Sequence, residues 1–254
     1  MNDLCILLPI YKQNLYDYEQ LSLYRLIDFC KTNNYLDNLL IICAESFDIN
    51  KFCNTYIEKF NIQNINYMTF NDKYFMSVNT FNNGILLSYQ FYNNFDQKYI
   101  FTYQLDGYIF DDYFDYFINK DYDYIGGYVM PLSSHISKLG VGDGNIYMNG
   151  GISLRKPKFC QEAIANPIIQ KYINGCEHIL NQHILDEDYV YSCMYKKPVN
   201  ALDSLAFSFN HTFAENAYEI CGKHYPFCCH GIQKNQFLMK LINQYNNENN
   251  LKYF

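Results

Sequence analysis

Residues 4–10, Leu-Cys-Ile-Leu-Leu-Pro-Ile, form an unbroken apolar run of strand length, the pattern of a strand covered on both faces. Leu23, Leu26, Ile27 and Cys30 then recur at helical spacing. A second apolar run at 39–43, a helix with Phe52, Tyr56 and Phe60 on one face, and a strand at 65–70 follow. Between 77 and 95, Ile85, Tyr89 and Tyr92 keep a helical period, and 98–105 reads as a buried strand ending in polar residues. This alternation predicts an α/β fold with a mostly parallel central sheet. Such sheets place ligands at the carboxyl ends of their strands, here Pro9-Ile10-Tyr11-Lys12, Ala44-Glu45 and Gln104-Leu105-Asp106.

The second half is less regular. Gly140-Val-Gly-Asp-Gly144 is a loop with much backbone freedom, and the stretch 146–154 carries Asn149-Gly150-Gly151, where backbone can approach a ligand closely. Helical patterns follow at 158–165 and 187–195, and 243–250 is polar enough to predict a solvated tail.

Composition narrows the function classes. The 254 residues are 49% hydrophobic and 18% charged, enough for a large core. No apolar run reaches about eighteen residues, and the start lacks a basic leader and a small-residue cleavage site, so no transmembrane segment or secretory signal is expected and the expected location is cytoplasmic. A net charge of -7 argues against nonspecific nucleic-acid binding, which needs a field that neutralises many phosphates. The ten cysteines contain no C-x-x-C pair and are expected to be reduced and mostly buried, with Cys228-Cys229 badly placed for a zinc knuckle. The 27 Tyr and 20 Phe beside no Trp accompany an excess of Asn, Ile and Lys, the mark of a compositional bias rather than of a ligand platform. The G-x-G-x-x-G, G-x-x-x-x-G-K-[ST] and G-x-S-x-G motifs are all missing, which removes the dinucleotide, P-loop and serine-hydrolase mechanisms.

The segment 99–110 carries the most chemistry. Its strand delivers Gln104 and Asp106 on one side, two residues apart. A carboxylate there can hold a divalent metal that bridges a diphosphate while the amide contacts ribose or phosphate. It can equally cap the next turn, and spacing leaves both readings open. Asp111, Asp112, Asp115, Asp121 and Asp123 lack the order of a calcium loop and are explained by helix initiation and solvation. His135, His178, His183, His211 and His224 have no ligand spacing.

QLDGYIFDDYFDYFINKDYDYIGG (104–127), NGGISLRK (149–156), EDYVYS (187–192), AFSF (206–209) and PFCCHGI (226–232) stand in the order found in a bacterial family of GT-A-like glycosyltransferases known as a domain of unknown function. LPIYK at the start and NNGILLSYQFYNNF (82–95) resemble it too. The chain departs from the family pattern at Cys228, where glycine is usual, and at Asn210, where glutamate is usual.

The resemblance implies one GT-A-like domain over 1–254, with a nucleotide-binding half at 1–110, an acceptor-binding half at 111–240 and a polar tail at 241–254. It implies transfer of a sugar from a nucleotide-diphosphate donor to a saccharide or lipid-linked saccharide acceptor in bacterial surface-glycan synthesis, with peripheral association at the inner face of the membrane left open. Gln-Leu-Asp takes the place of a D-x-D motif, so Asp106 and His230 are the expected ligands of Mn²⁺ or Mg²⁺. Pro9, Tyr11, Lys12, Asn83 and Gln104 are the expected nucleotide contacts, and Gly150 and Gly151 the acceptor contacts. Asp188 is the expected general base of an inverting reaction, with Glu187 binding or orienting the acceptor, although two acidic residues opening a helix also suit its dipole. Arg155 and Lys156 read either as local charge for a diphosphate or as exposed cations at a strand end. Two alternatives remain open: a noncatalytic nucleotide- or glycan-binding subunit, and a nucleotidyltransferase.

Overall fold

A computed structural model describes residues 3–62, 64–131, 146–176, 187–251 and 253. The loop expected at 140–144 and His135, His178 and His183 lie outside these residues. The apolar runs form the strands β1 (Leu4–Pro9), β2 (Leu39–Ala44), β3 (Asn66–Phe70) and β4 (Tyr99–Tyr103), which run parallel in the order β3-β2-β1-β4. Both β1 and β4 are buried at every position, and Ile6 of β1 faces Leu39 and Phe101 on its two sides. Their sequences are apolar throughout except for the buried Thr102 of β4, because both faces are covered.

The sheet continues through β5 (Gly107–Ile109), β6 (Tyr124–Pro131), β7 (Ile146–Arg155), β8 (Ser208–Asn210) and β9 (Cys228–His230). Its full order is β3-β2-β1-β4-β7-β6-β8-β9-β5. Among the described residues five strand pairings are parallel and three antiparallel. The β6–β7 ladder is interrupted. Gly126 pairs with Ser153 but Gly127 pairs with Asn149, so Gly150, Gly151 and Ile152 of β7 have no partner on β6. This bulge turns the Asn149–Gly151 backbone out of the β6 ladder.

Helix α1 (Asp17–Thr32) buries Leu23, Leu26, Ile27 and Cys30 completely, as their spacing predicts. Its first turn is held where Glu19 accepts the Tyr16 N–H at 2.8 Å. Arg25 on α1 closes the far edge of the sheet by donating to Ile109 O at 2.7 Å and Phe110 O at 2.9 Å. Helix α2 (Ile49–Tyr56) buries Phe52 and Tyr56, and a separate 3-10 turn holds Phe60. The region expected as one helix at 77–95 is instead α3 (Val78–Phe81), a π-helical turn at Asn82–Leu86 and α4 (Tyr89–Tyr92). Ser88 is extended and caps the Phe91 N–H, and the Leu86 carbonyl released by the break accepts the Tyr92 and Tyr191 hydroxyls.

Helices α5 (Phe114–Lys120), α6 (Pro157–Ala165), α7 (Pro167–Cys176), α8 (Glu187–Met194), α9 (Ala201–Phe207) and α10 (Ala214–Ile220) cover the second half. Aromatic rings fill the core here: Phe114 stacks on Phe227 at 5.1 Å and Phe117 meets Phe207 edge-on at 5.0 Å. Helix α8 is docked on β7 through Ser192, whose Oγ accepts from Met148 N at 3.0 Å and donates to Met148 O.

The segment expected as a polar tail from 241 onward is corrected by α11 (Gln236–Glu248). Leu238, Leu241, Ile242 and Tyr245 form its buried face over Tyr108 and Phe110, so its Asn-rich composition marks only the outer face. Cys5, Cys30, Cys43, Cys53, Cys160, Cys193, Cys221, Cys228 and Cys229 are free, with Cys228 and Cys229 buried in β9. No helix among the described residues is long and apolar enough to cross a membrane.

Candidate active site

At the carboxyl ends of β1 and β4 opens a cleft of about 730 Å³. Pro9, Tyr11 and Lys12 enter it from the end of β1, and Gln104 and Asp106 from the turn between β4 and β5. His230, the last residue of β9, lies in register between Asn210 and Gly107. Its Nε2 is 3.0 Å from Asp106 Oδ1 and 3.3 Å from Gln104 Oε1.

The backbone enforces this meeting. Gly231 and Ile232 donate their N–H groups to Asp106 O at 2.8 and 3.0 Å. That double contact needs the tight turn that Gly231 makes at φ 79°. Gln233 Nε2 donates to Asp106 Oδ2 at 3.1 Å. Burial pushes the Asp106 carboxyl up, but the charge and hydrogen bond of His230, with Gln233 and Lys234, outweigh it and hold it well below the ordinary carboxylate range. Tyr11 is pushed strongly the other way by burial and by the nearby Asp106 and Glu187 charges.

Asp106 Oδ1 and Gln104 Oε1 thus stand 3.0 and 3.3 Å from His230 Nε2, near the roughly 3 Å edge of an octahedron with about 2.1 Å bonds. The set suits a divalent cation bound through the Nε2 lone pair. No three His, Cys, Asp or Glu side chains cluster to hold a metal among the described residues, so the third protein ligand would be the Gln104 amide.

Asp188 lines the same cleft from the start of α8. Its Oδ1 accepts the Tyr147 hydroxyl at 3.1 Å and its Oδ2 the Gly150 N–H at 3.2 Å. Between the two halves run the glycines of the β7 bulge. A Cβ on Gly151 would stand 2.1 Å from His230 Nε2 and 2.7 Å from Gln104 Oε1, and one on Gly150 would stand 2.3 Å from Glu187 Oε1. Consecutive strand residues face opposite ways. Gly151 therefore admits the imidazole and amide, and Gly150 admits the carboxylates of α8.

Several expected contacts lie elsewhere. Glu187, expected to bind or orient an acceptor, does not line the cleft; it is 1% exposed and paired with Arg155 Nη2 at 3.2 Å. Gly150 stands behind Gly151 rather than at the cleft wall, and Asn82 lines it in place of Asn83. Arg155, read as a strand-end cation, is fully buried, because Glu187 and the rings of Tyr124 and Tyr191, at 5.4 and 5.3 Å, enclose it. Lys156 is taken up by Asp121 and Asp123 at 3.1 and 3.3 Å. Lys12 reaches the cleft but pairs with Glu19 at 2.9 Å.

Asn149 of the NGG stretch lines the cleft as well, and so do Tyr147, Gln233 and Lys234, which carry no motif. Tyr147 could have been found from its place between buried Ile146 and Met148 along β7.

The fold is α/β of the GT-A kind. Mouse xyloside xylosyltransferase 1 in its apo form is similar to it with a TM-score of 0.53 at 10% sequence identity, over 90% of this chain and 96% of that one. The apo form of the glycosyltransferase GlyE from Streptococcus pneumoniae TIGR4 is aligned at a TM-score of 0.47 and 14% identity, over 90% of this chain and 54% of that one. Residues 64–230 match the model of the protein of unknown function DUF5672, and the chain belongs to that family. No curated protein matches the sequence.

Proposed function

We propose that the protein transfers a sugar from a nucleotide-diphosphate donor to a hydroxyl of a saccharide acceptor, free or lipid-linked, with inversion. The observation that carries this reading is that two unlike sites line one cleft: the Asp106–His230–Gln104 group and the Asp188 carboxylate. Glycosyl transfer needs both, because charge builds on a leaving diphosphate while a proton leaves the attacking hydroxyl.

Mn²⁺ or Mg²⁺ held by Asp106, His230 and Gln104 would neutralise the departing diphosphate. Lys234, on the same side, adds a second positive charge. Tyr11, Asn82 and Lys12 offer a nucleoside an aromatic face, an amide and a cation at the end of β1. Asp188, fixed by Tyr147 and Gly150, takes the acceptor proton as the acceptor oxygen bonds to the anomeric carbon and the bond to the diphosphate breaks. Attack from the face opposite the leaving group inverts that carbon.

Calorimetric titration with UDP, GDP, CDP and dTDP, with and without Mn²⁺, should give Mn²⁺-dependent binding of at least one. The matching sugar conjugate should be hydrolysed slowly to free sugar and nucleoside diphosphate, and proton NMR of a transfer product should show an inverted anomeric centre. Release of pyrophosphate from a nucleoside triphosphate and a sugar phosphate would replace this reading with nucleotidyl transfer. Tight binding with no turnover would make the protein a binding subunit.

A further inference from the structure

Resting on Asp188 as the base, we infer that the buried Arg155–Glu187 pair is a positioning device for that carboxylate. The hydrogen bonds form a closed ring. Arg155 Nη2 donates to Glu187 Oε1 at 3.2 Å and to Gly150 O at 3.1 Å. Glu187 Oε2 accepts the Asp188 N–H at 2.7 Å, and the Gly150 N–H donates to Asp188 Oδ2 at 3.2 Å. One guanidinium thus holds the main chain of Asp188 through Glu187 and the side chain of Asp188 through Gly150.

The bulge explains why a side chain is needed there. Gly150 has no partner on β6, so the ladder that would normally fix it is interrupted. Its carbonyl is bound instead by Arg155 Nη2 and by Ser153 Oγ at 3.0 Å. Within the planar guanidinium fork, Nη2 serves Gly150 and Glu187 while Nε donates to Ser153 Oγ at 3.2 Å; a lysine ammonium, as a point charge, fits this geometry poorly.

Stability alone does not account for the pair. The two side chains are 0% and 1% exposed, so both charges are stripped of water. A well-packed apolar pair of similar volume is often as stable or more so, whereas loss of one partner strands the other charge. Arg155 is also boxed in by Tyr92, Tyr124 and Tyr191, which leaves its guanidinium one orientation.

The test compares Arg155→Met, Glu187→Met, the double Met variant, Arg155→Lys and Asp188→Asn by thermal melting, UDP and GDP titration with Mn²⁺, turnover and crystal structure. Each single Met variant should melt earlier than the wild type. The double variant should recover most of the melting temperature and keep nucleotide affinity and donor KM, yet lose kcat by about a hundredfold, as a misplaced base does. Its crystal structure should show the Asp188 carboxylate off the Gly150 N–H. Wild-type kcat in the double variant beside a slow Asp188→Asn overturns the positioning role, because a merely structural pair is fully replaced by packing. Fast Asp188→Asn, or a wild type without turnover, overturns the base assignment instead. The crystal structure then decides positioning alone, and Asp188 still bonded to Gly150 and Tyr147 overturns it. Should the double variant not fold, Arg155→Lys keeps the charge and gives up the fork: reduced kcat with a displaced Asp188 supports the proposal, and wild-type values for both overturn it.

Discussion

Asp106 and His230 meet at 3.0 Å, and the meeting is fixed from both ends: by the side chains themselves and by the Gly231 and Ile232 N–H groups on Asp106 O. A pair held this way has little freedom to absorb a lost partner. Asp106→Asn and His230→Ala should each weaken Mn²⁺-dependent nucleotide binding by at least about tenfold, as expected when a metal-site residue is removed. Chelation by EDTA should do the same to the wild type. Calorimetry in which either variant keeps wild-type affinity with Mn²⁺ present would retire the cation site.

The glycines of β7 should separate the two halves of the chemistry. Gly151→Ala places a methyl 2.1 Å from His230 Nε2, so it should cost nucleotide affinity about as much as His230→Ala. Gly150→Ala pushes instead on Glu187 and Asp188, at 2.3 and 2.9 Å, and should leave affinity intact while turnover falls. Equal losses of binding and turnover in both variants would show that the bulge moves as one body.

How much of this arrangement is legible in the sequence differs from residue to residue. β1, β2 and β4 are legible because burial on both faces leaves a run that is apolar but for Thr102, and α1 because its apolar residues keep a helical period. The break after Leu86 is not, since the carbonyl it frees is satisfied by Tyr191, far away in the chain. Arg155 misleads for a related reason: a cation at a strand end defaults to water, and Glu187, the Gly150 carbonyl, Ser153 and three tyrosines brought together by the fold make its burial tolerable. Gln233 and Tyr147 bind the Asp106 and Asp188 carboxylates, but a single glutamine or tyrosine advertises nothing in a chain rich in both amides and tyrosines.

Asp203 offers a pH-dependent test of the second half. It accepts the Tyr116 hydroxyl at 2.8 Å and the Tyr122 hydroxyl at 2.5 Å, and it pairs with Lys120 at 3.2 Å. Burial pushes its carboxyl up, but the bonds from Tyr122 and Tyr116 and the Lys120 charge outweigh that and hold it below its ordinary value. The unfolded chain, near the ordinary value of about 3.9, takes up the proton first as pH falls. The stabilisation is complete above that value and is lost as pH drops through the lower folded-state value. Asp203→Asn should therefore cost about 1–3 kcal/mol near neutral pH, because it leaves the buried Tyr122 hydroxyl poorly matched. Urea melts should show the gap from wild type narrowing below about pH 4; a gap of constant size would mean that the carboxylate charge contributes nothing.

The last helix carries a test that separates a solvated tail from a core element. Leu238, Leu241, Ile242 and Tyr245 follow a helical period, and the sequence around them is so rich in Asn that the period is easily passed over. Ile242 is 0% exposed over Tyr108 and Phe110, while its neighbour Asn243 faces solvent. Ile242→Ala should destabilise the protein by about 2–5 kcal/mol, since it removes buried methyl groups and leaves a cavity that the rigid aromatic neighbours cannot fill. Asn243→Ala should change stability by no more than about 0.5 kcal/mol. Chemical denaturation of the two variants side by side decides the matter: a solvated tail would leave both unchanged, and only a helix packed through one face makes adjacent residues differ this much.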